Sequence, residues 1–284
     1  MAIELSSKIG FCSGVRRAYQ LVKKNYKSYP KPVQILGDLV HNTHVIQETK
    51  KWGIKKIDNI DQAWQGTVII TAHGVDPKVI QRLKAKKIKV LNAICPKVSR
   101  VIAKARFLAL KGRTVLIFGD KTHSEVRAIN GSINKKALVF ASVKELSELA
   151  QDINKETRLG LVSQTTRNIT EFKEIKKFLR QNFSDLKIYN TICSATYHRQ
   201  RQAREKAGQA DQVVVIGSPF SANSKELYKI CKKNNPATYF IDKPEQVQDL
   251  NIKPNQKIWV CTGASIPDPV IHKVVQALQA KIEK

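Results

Sequence analysis

The chain has 284 residues, of which 42% are hydrophobic and 26% are charged, a balance typical of an ordinary soluble globular protein. No apolar run approaches the roughly 20 residues that a membrane-spanning helix needs, and the first residues lack the apolar stretch of a secretion signal. We therefore expect a cytoplasmic protein with no membrane partner, folded as one compact body or as two to three small domains.

The formal net charge of +27 is unusual for such a composition. Binding to nucleic-acid phosphates is one explanation, and lysines solvated on helix faces are another. The 50 Lys and Arg residues are spread along the chain, without a basic tail or a basic motif interleaved with aromatic residues. We favour the second explanation, under which the positive field still attracts a small anionic substrate.

Short runs of β-branched residues alternate with longer segments of helical character. The runs predict ten strands, at 33–37, 67–71, 89–93, 114–119, 137–141, 158–163, 186–190, 212–217, 237–241 and 257–262. Apolar residues recur at helical spacing after Cys12 and after Cys95, and the segment after Cys193 is helical by propensity. This alternation predicts an α/β fold with parallel sheets and right-handed crossovers.

Three cysteines share one local setting, in which an extended segment is followed by the cysteine and then by a helix. They are Cys12, Cys95 and Cys193. Their wide separation excludes a single local metal loop and suggests three similar structural units. Three thiolates suit an iron–sulfur cluster with one open iron, or a zinc site short of one ligand, and spacing alone leaves open whether a metal binds at all. Cys231 and Cys261 lie in apolar segments and are expected to be buried thiols.

Polar side chains follow the predicted strands at the points where these strands end. They are His41, His73, His123, Glu125, Thr165, Thr166, Ser221, Asn223 and Ser265. Because ligands of parallel sheets bind beyond the carboxyl ends of the strands, we expect these residues to share one site. The histidines suit phosphate oxygens, with backbone-bonded loop histidines as the alternative. Glu125 is either a buried acid or a helix cap in a surface turn.

The segment 217–224 offers hydroxyls, an amide and backbone donors at a predicted helix start, which is typical of an anion site. Neither a dinucleotide fingerprint nor a Walker A sequence occurs, which argues against a nucleotide cofactor.

Taken together and in order, these motifs resemble the 4-hydroxy-3-methylbut-2-enyl diphosphate reductases of the LytB/IspH family. The matching segments are 10–15, 40–42, 72–75, 95–96, 123–126, 163–166, 192–193, 199–200, 221–224 and 263–265. The resemblance implies three pseudo-symmetric α/β domains around a central [4Fe–4S] cluster. We expect these units at residues 14–95, 96–190 and 191–284, with the N-terminal segment 1–13 joined to them. Cys12, Cys95 and Cys193 would be the metal ligands.

The implied reaction removes the hydroxyl of (E)-4-hydroxy-3-methylbut-2-enyl diphosphate and gives isopentenyl and dimethylallyl diphosphate, the last step of the non-mevalonate isoprenoid pathway. Electrons would come from an external ferredoxin- or flavodoxin-like donor. By resemblance, Glu125 is the proton source, with Thr165 and His123 as the other catalytic residues. The remaining side chains would bind the diphosphate or guide protons to it, namely His41, His73, Thr166, Ser221, Asn223 and Ser265, with Thr196 behind them.

The sequence departs from the family pattern at three positions. Ala222 stands where a serine is usual, Asn92 where an aspartate is usual, and Ser124 where a proline is usual. Loss of a hydrogen bond to a charged group costs about 1.5–3 kcal/mol, although the backbone N–H of Ala222 remains. Two alternatives stay open: a basic nucleic-acid-binding protein with a structural metal, which the ordered motifs disfavour, and a paralogue that acts on another allylic diphosphate.

Overall fold

A computed structural model describes residues 3–252 and 255–283 of the chain. Twelve strands and ten α-helices lie in these ranges. The strands are β1 (Ile3–Leu5), β2 (Val33–Leu36), β3 (Lys55–Ile57), β4 (Thr67–Ile70), β5 (Lys89–Asn92), β6 (Thr114–Phe118), β7 (Leu138–Phe140), β8 (Leu159–Ser163), β9 (Leu186–Ile188), β10 (Gln212–Ile216), β11 (Thr238–Ile241) and β12 (Ile258–Thr262). The helices are α1 (Ser13–Asn25), α2 (Thr43–Lys51), α3 (Pro77–Ala85), α4 (Pro96–Leu110), α5 (Ser124–Gly131), α6 (Val143–Gln151), α7 (Ile169–Asn182), α8 (Ser194–Lys206), α9 (Ala222–Asn234) and α10 (Asp268–Ile282).

The strands form three parallel sheets of four strands each, which confirms the predicted α/β fold with small parallel sheets. The orders are β3-β2-β4-β5, β7-β6-β8-β9 and β11-β10-β12-β1. In the first two sheets the chain supplies four consecutive strands. In the third, the N-terminal β1 pairs with β12 and takes the place that β5 and β9 occupy in the other sheets. The three sheets therefore share one topology.

The central strands are hydrophobic on both faces because helices cover both sides of their sheets. In β10, for example, Val214 and Ile216 pack in one core cluster, whereas Val213 and Val215 pack in another. Every residue of β8, β10 and β12 is buried. Such strands read as continuous apolar runs, which is why the sequence identified them.

All ten predicted strands are present, each one or two residues shorter than predicted. The sequence did not reveal β1 and β3, which have three residues each and lie at sheet edges. In β3 only Ile57 is buried, while Lys55 and Lys56 are exposed. An edge strand pairs on one side only, and so few apolar residues leave no alternating pattern to detect.

Residue contacts divide the chain into two compact units. The first comprises the described residues within Met1–Arg16, Val40–Glu48 and Ser194–Lys284, and holds the sheet with β1, β10, β11 and β12. The second comprises Arg17–Leu39 and Thr49–Cys193, and holds the other two sheets. The three-domain limits at 14–95, 96–190 and 191–284 stay a prediction, and their outer ends at residues 1 and 284 lie outside the described residues. No helix in the described ranges is long and apolar enough to cross a membrane.

Candidate active site

The polar side chains singled out in the sequence occupy equivalent places in the three sheets. His41, His123 and Ser221 each lie five residues beyond the end of a central strand, namely β2, β6 and β10. Three residues beyond the ends of the other central strands, β4, β8 and β12, lie His73, Thr166 and Ser265. The repeated topology therefore places the same two positions at the carboxyl edge of every sheet, where parallel sheets bind ligands.

The three cysteines of the shared sequence setting also occupy equivalent places. Each immediately precedes a helix, and each backbone N–H donates to the carbonyl two residues beyond the neighbouring central strand. The donor and acceptor pairs are Cys12 with Ala264, Cys95 with Ala72 and Cys193 with Thr165, all at 3.0 Å. None of these three cysteines forms a disulfide, and all three are half-buried. The repeated sequence setting is thus a repeated structural one.

These thiols suit an iron–sulfur cluster in their chemistry. They form no disulfides, and each is partly exposed to solvent. Each also lies at a helix N-terminus, where the helix dipole stabilises a negative charge such as that of a thiolate. Within the described residues, however, no group of three or more His, Cys, Asp or Glu side chains is assembled to hold a metal ion. Joint binding of a cluster by Cys12, Cys95 and Cys193 stays a prediction. Cys231 and Cys261 are buried, as predicted, in an apolar core cluster.

Glu125 is a buried carboxyl group in the first turn of α5, with only 1% of its surface exposed. The backbone N–H of Thr165 donates to its Oε1 at 2.7 Å, and the hydroxyl of Thr165 donates to its Oε2 at 2.8 Å. Burial raises the pKa of Glu125 from its ordinary 4.5 to about 7, because desolvation of the charged form outweighs both hydrogen bonds. A carboxyl group with this pKa holds and releases a proton near neutral pH.

His123, and not Glu125, caps helix α5. Its Nδ1 accepts the backbone N–H of Glu125 at 3.1 Å, so the proton of the neutral ring resides on Nε2. The ring of His73 lies edge-on to that of His123, with 5.7 Å between the ring centroids. The second unit thus brings together two of the predicted histidines and the Glu125–Thr165 pair.

Asn223 offers an unsatisfied hydrogen-bond donor in the first unit. Its side-chain oxygen accepts the hydroxyl of Thr196 at 3.3 Å, which fixes the orientation of the amide. The Nδ2 atom is buried and has no hydrogen-bond partner in the part of the chain that the structure describes. Because an unpaired buried donor is costly, this group is suited to bind an acceptor such as a phosphate oxygen.

The N-terminus of α9 lies against the ends of β10 and β12. Ser221 caps the helix by accepting the backbone N–H of Ser224 at 3.3 Å, and Ala222 is the first helical residue. A side chain at Gly217 would approach the ring of Phe240 to 2.6 Å, so glycine is required for this close packing. The first backbone N–H groups of a helix have no acceptor within the helix and are therefore available to an anion.

Ser265 and His41 also meet in the first unit, where the hydroxyl of Ser265 donates to the carbonyl of His41 at 3.5 Å. The neighbouring Asn42 is buried and accepts the backbone N–H of Val45, which caps α2 directly after His41. His41 is thereby held between a capped helix and the loop after β12.

Three contacts near the site were not anticipated from the sequence. Asn92 accepts the backbone N–H of Ile94, and Asn190 accepts that of Ile192, so each asparagine orders the turn just before a cysteine. The amide oxygen of Asn92 accepts the same hydrogen bond that an aspartate would accept. The asparagine at this position, where an aspartate is usual, therefore leaves the turn intact. Arg199 is one of the buried residues of helix α8, which is rich in polar side chains. Its position in one of the matching motifs was the only signal for it.

The family model described as LytB protein matches residues 3–279 of the chain. The 4-hydroxy-3-methylbut-2-enyl diphosphate reductase of Campylobacter lari is 34% identical over 281 residues, which cover 98% of both sequences. The reductase of the same name from Aquifex aeolicus is 32% identical, with coverage of 98% of this chain and 96% of the relative. The chain spans less than half of two clostridial relatives, for example 44% of the Clostridium tetani protein, with which it shares 36% identity.

Two solved structures resemble this one over nearly its whole length. The E-1-hydroxy-2-methyl-but-2-enyl-4-diphosphate reductase of Plasmodium falciparum superimposes with a TM-score of 0.90 at 26% identity, covering 98% of this chain and 87% of that one. A second structure, of (E)-4-hydroxy-3-methyl-but-2-enyl diphosphate reductase, has a TM-score of 0.71 at 31% identity, with coverage of 98% and 99%.

Proposed function

Because the chain belongs to the LytB protein family, we propose that it reduces (E)-4-hydroxy-3-methylbut-2-enyl diphosphate. The reaction breaks the C–O bond of the allylic hydroxyl group and takes up two electrons and two protons. It releases water and yields isopentenyl or dimethylallyl diphosphate. The proposal includes a cytoplasmic location and an external electron donor of the ferredoxin or flavodoxin type.

The observation that carries the proposal is the buried acid of the second unit. A carboxyl group with a pKa of about 7 is populated in both forms at neutral pH, so Glu125 is suited to deliver a proton and to regain one in every cycle. The two Thr165 hydrogen bonds steady the carboxylate that remains after the proton has left. A surface glutamate would be ionised at this pH and would carry no proton to give.

In this proposal Cys12, Cys95 and Cys193 hold a [4Fe–4S] cluster. When bound, the cluster supplies the electrons and an open iron that acts as a Lewis acid towards the leaving oxygen. The protein contributes three thiolates from equivalent places in three sheets, each at the start of a helix.

This proposal assigns the diphosphate to polar groups that the sequence singled out. In the first unit, the unpaired Nδ2 of Asn223, the hydroxyl group of Ser221 and the N-terminus of α9 offer donors. The hydroxyl of Ser265, whose bond to the carbonyl of His41 is long at 3.5 Å, can turn to the diphosphate instead. His41, His73 and His123 add imidazole donors. The net charge of +27 attracts the anionic substrate over a longer range.

Metal analysis of two cysteine variants tests the proposal. The full-length protein is purified without oxygen, and its iron and acid-labile sulfide are measured. Cys95→Ser should lose most of both, because it removes one proposed ligand at a strand end. Cys231→Ala is the matched control, since Cys231 is a core thiol of α9 with no proposed role, and it should keep wild-type iron. Full iron content and full reductase activity in Cys95→Ser would contradict the assignment.

The alternative substrate is another allylic diphosphate, and the observation that favours this alternative is Ala222. The alanine removes a hydroxyl group from the start of α9, where the family has serine, and so changes the proposed anion site. Reduction rates across a series of allylic diphosphates separate the two substrates. A second allylic diphosphate turned over with a kcat/KM above that of the 4-hydroxy compound would reassign the substrate.

A further inference from the structure

The loop before Cys12 is the longest of the three cysteine loops. Two residues separate β5 from Cys95 and four separate β9 from Cys193, whereas six separate β1 from Cys12. A longer loop has more conformations to lose when its cysteine is held in place. The Cys12 loop therefore needs additional fixed contacts to reach the same order.

The two shorter loops are ordered by their own residues. Asn92 and Asn190, each three residues before a cysteine, accept the N–H of the residue that precedes it, at 3.0 and 3.2 Å. The corresponding position before Cys12 is Ile9, whose side chain cannot accept a hydrogen bond. The Cys12 loop thus lacks the turn that both other loops possess.

Arg199 supplies the missing contacts from helix α8. Its Nη2 donates to the carbonyl of Gly10 at 2.8 Å, and its Nε donates to the carbonyl of Thr262, at the end of β12, at 3.1 Å. Its Nη1 bonds to the carbonyl of Ala195 in the first turn of α8, at 3.4 Å. With 5% of its surface exposed, this planar guanidinium joins the loop, the central strand and the helix.

A second hydrogen bond fixes the backbone of Gly10. The backbone N–H of Gly10 donates to the hydroxyl of Thr262 at 2.8 Å, so both polar backbone groups of Gly10 are fixed. Gly10 has φ +69, and a side chain there would collide with Asp268. This left-handed backbone favours glycine at position 10, because another residue would be strained there and would displace the side chain of Asp268.

We propose that Arg199 is a positioning residue that sets Cys12 for its role as a ligand. This inference rests on the proposed function only in taking Cys12 to be a ligand of the cluster. A lysine at position 199 would keep the charge, but a single ammonium group cannot reproduce the flat fork that bonds three carbonyls. We expect Arg199→Lys to be intermediate between the wild type and Arg199→Gln.

Hydrogen–deuterium exchange of the full-length protein tests the inference. In Arg199→Gln, peptides covering residues 6–12 should exchange about tenfold faster, the effect of losing one hydrogen bond to a charged group. Peptides that contain Cys95 or Cys193 should keep wild-type rates. Arg201→Gln is the matched control on the same helix, because Arg201 is exposed and pairs with Glu205, and it should change none of these rates. Unchanged exchange at residues 6–12, or the same acceleration at all three cysteines, would overturn the inference.

The rate at which iron passes to a chelator gives a second readout on oxygen-free protein. It should rise in Arg199→Gln, rise less in Arg199→Lys and stay unchanged in Arg201→Gln. If Arg199→Gln does not fold, two other variants test the inference. Thr262→Val, a change of similar volume, removes the hydrogen bond from the N–H of Gly10 to the Thr262 hydroxyl. Arg199→Lys tests the arginine itself. Absence of iron from the wild type would refute the cluster proposal, while the exchange result would still decide whether Arg199 orders the loop.

Discussion

Replacing Glu125 with glutamine should remove one large pH-dependent contribution to the stability of the protein. The pKa of Glu125 rises from its ordinary 4.5 to about 7 on folding, so the folded state binds this proton more tightly than the unfolded state does. The resulting stabilisation is fully present below pH 4.5 and is lost as the pH rises through 7. At about 1.4 kcal/mol per pKa unit, the whole effect amounts to about 3 kcal/mol.

The assay compares the free energy of unfolding of the two cluster-free proteins at pH 5 and pH 8, by urea denaturation. Between these pH values the wild type should lose roughly 2–3 kcal/mol more than Glu125→Gln does, since glutamine does not titrate. Its side-chain oxygen still accepts the N–H of Thr165, so the fold is retained. Glu145→Gln is the control, because Glu145 also accepts a backbone N–H but is only half-buried. Parallel pH curves for the wild type and Glu125→Gln would refute the buried-acid assignment.

Three further predictions concern catalysis and binding. Glu125→Gln should keep its iron and its affinity for the substrate but lose about 10²–10⁴-fold in kcat, the usual contribution of a general acid; an unchanged kcat would exclude it as the proton donor. Thr165→Val should raise the pKa of Glu125 further, because it removes a hydrogen bond that lowers it, and should shift the pH profile of kcat upward; a shift downward would contradict the geometry. Ala222→Ser should tighten substrate binding about tenfold or more by restoring a donor to the diphosphate, and an unchanged Kd would place the diphosphate elsewhere.

The sequence predicted the fold class because its signals were strong and local. The central strands are buried on both faces and appear as unbroken apolar runs, and polar residues mark their ends. The strands β1 and β3 escaped detection because three residues at a sheet edge, such as Lys55, Lys56 and Ile57, carry no such signal. Strand β1 completes the third sheet by pairing with β12, more than 250 residues away along the chain. No local sequence pattern encodes a pairing over that distance.

The candidate site was predictable in its residue types and only partly in its environment. The resemblance pointed to Glu125 and Thr165, but the burial that raises the pKa of Glu125 is a property of the folded unit. The capping role of His123 depends on the start of α5, and a motif does not specify it. Arg199 had no assigned role, since its three acceptors are backbone carbonyls from separate parts of the chain.

Turnover by oxygen-free, iron-loaded protein is the most direct test of the reductase proposal. The full-length protein is mixed with (E)-4-hydroxy-3-methylbut-2-enyl diphosphate and an artificial reductant, and the products and the electrons consumed are counted. We predict isopentenyl and dimethylallyl diphosphate, with two electrons consumed for each product molecule. Iron-loaded wild-type protein that binds this diphosphate and forms neither product would contradict the proposal.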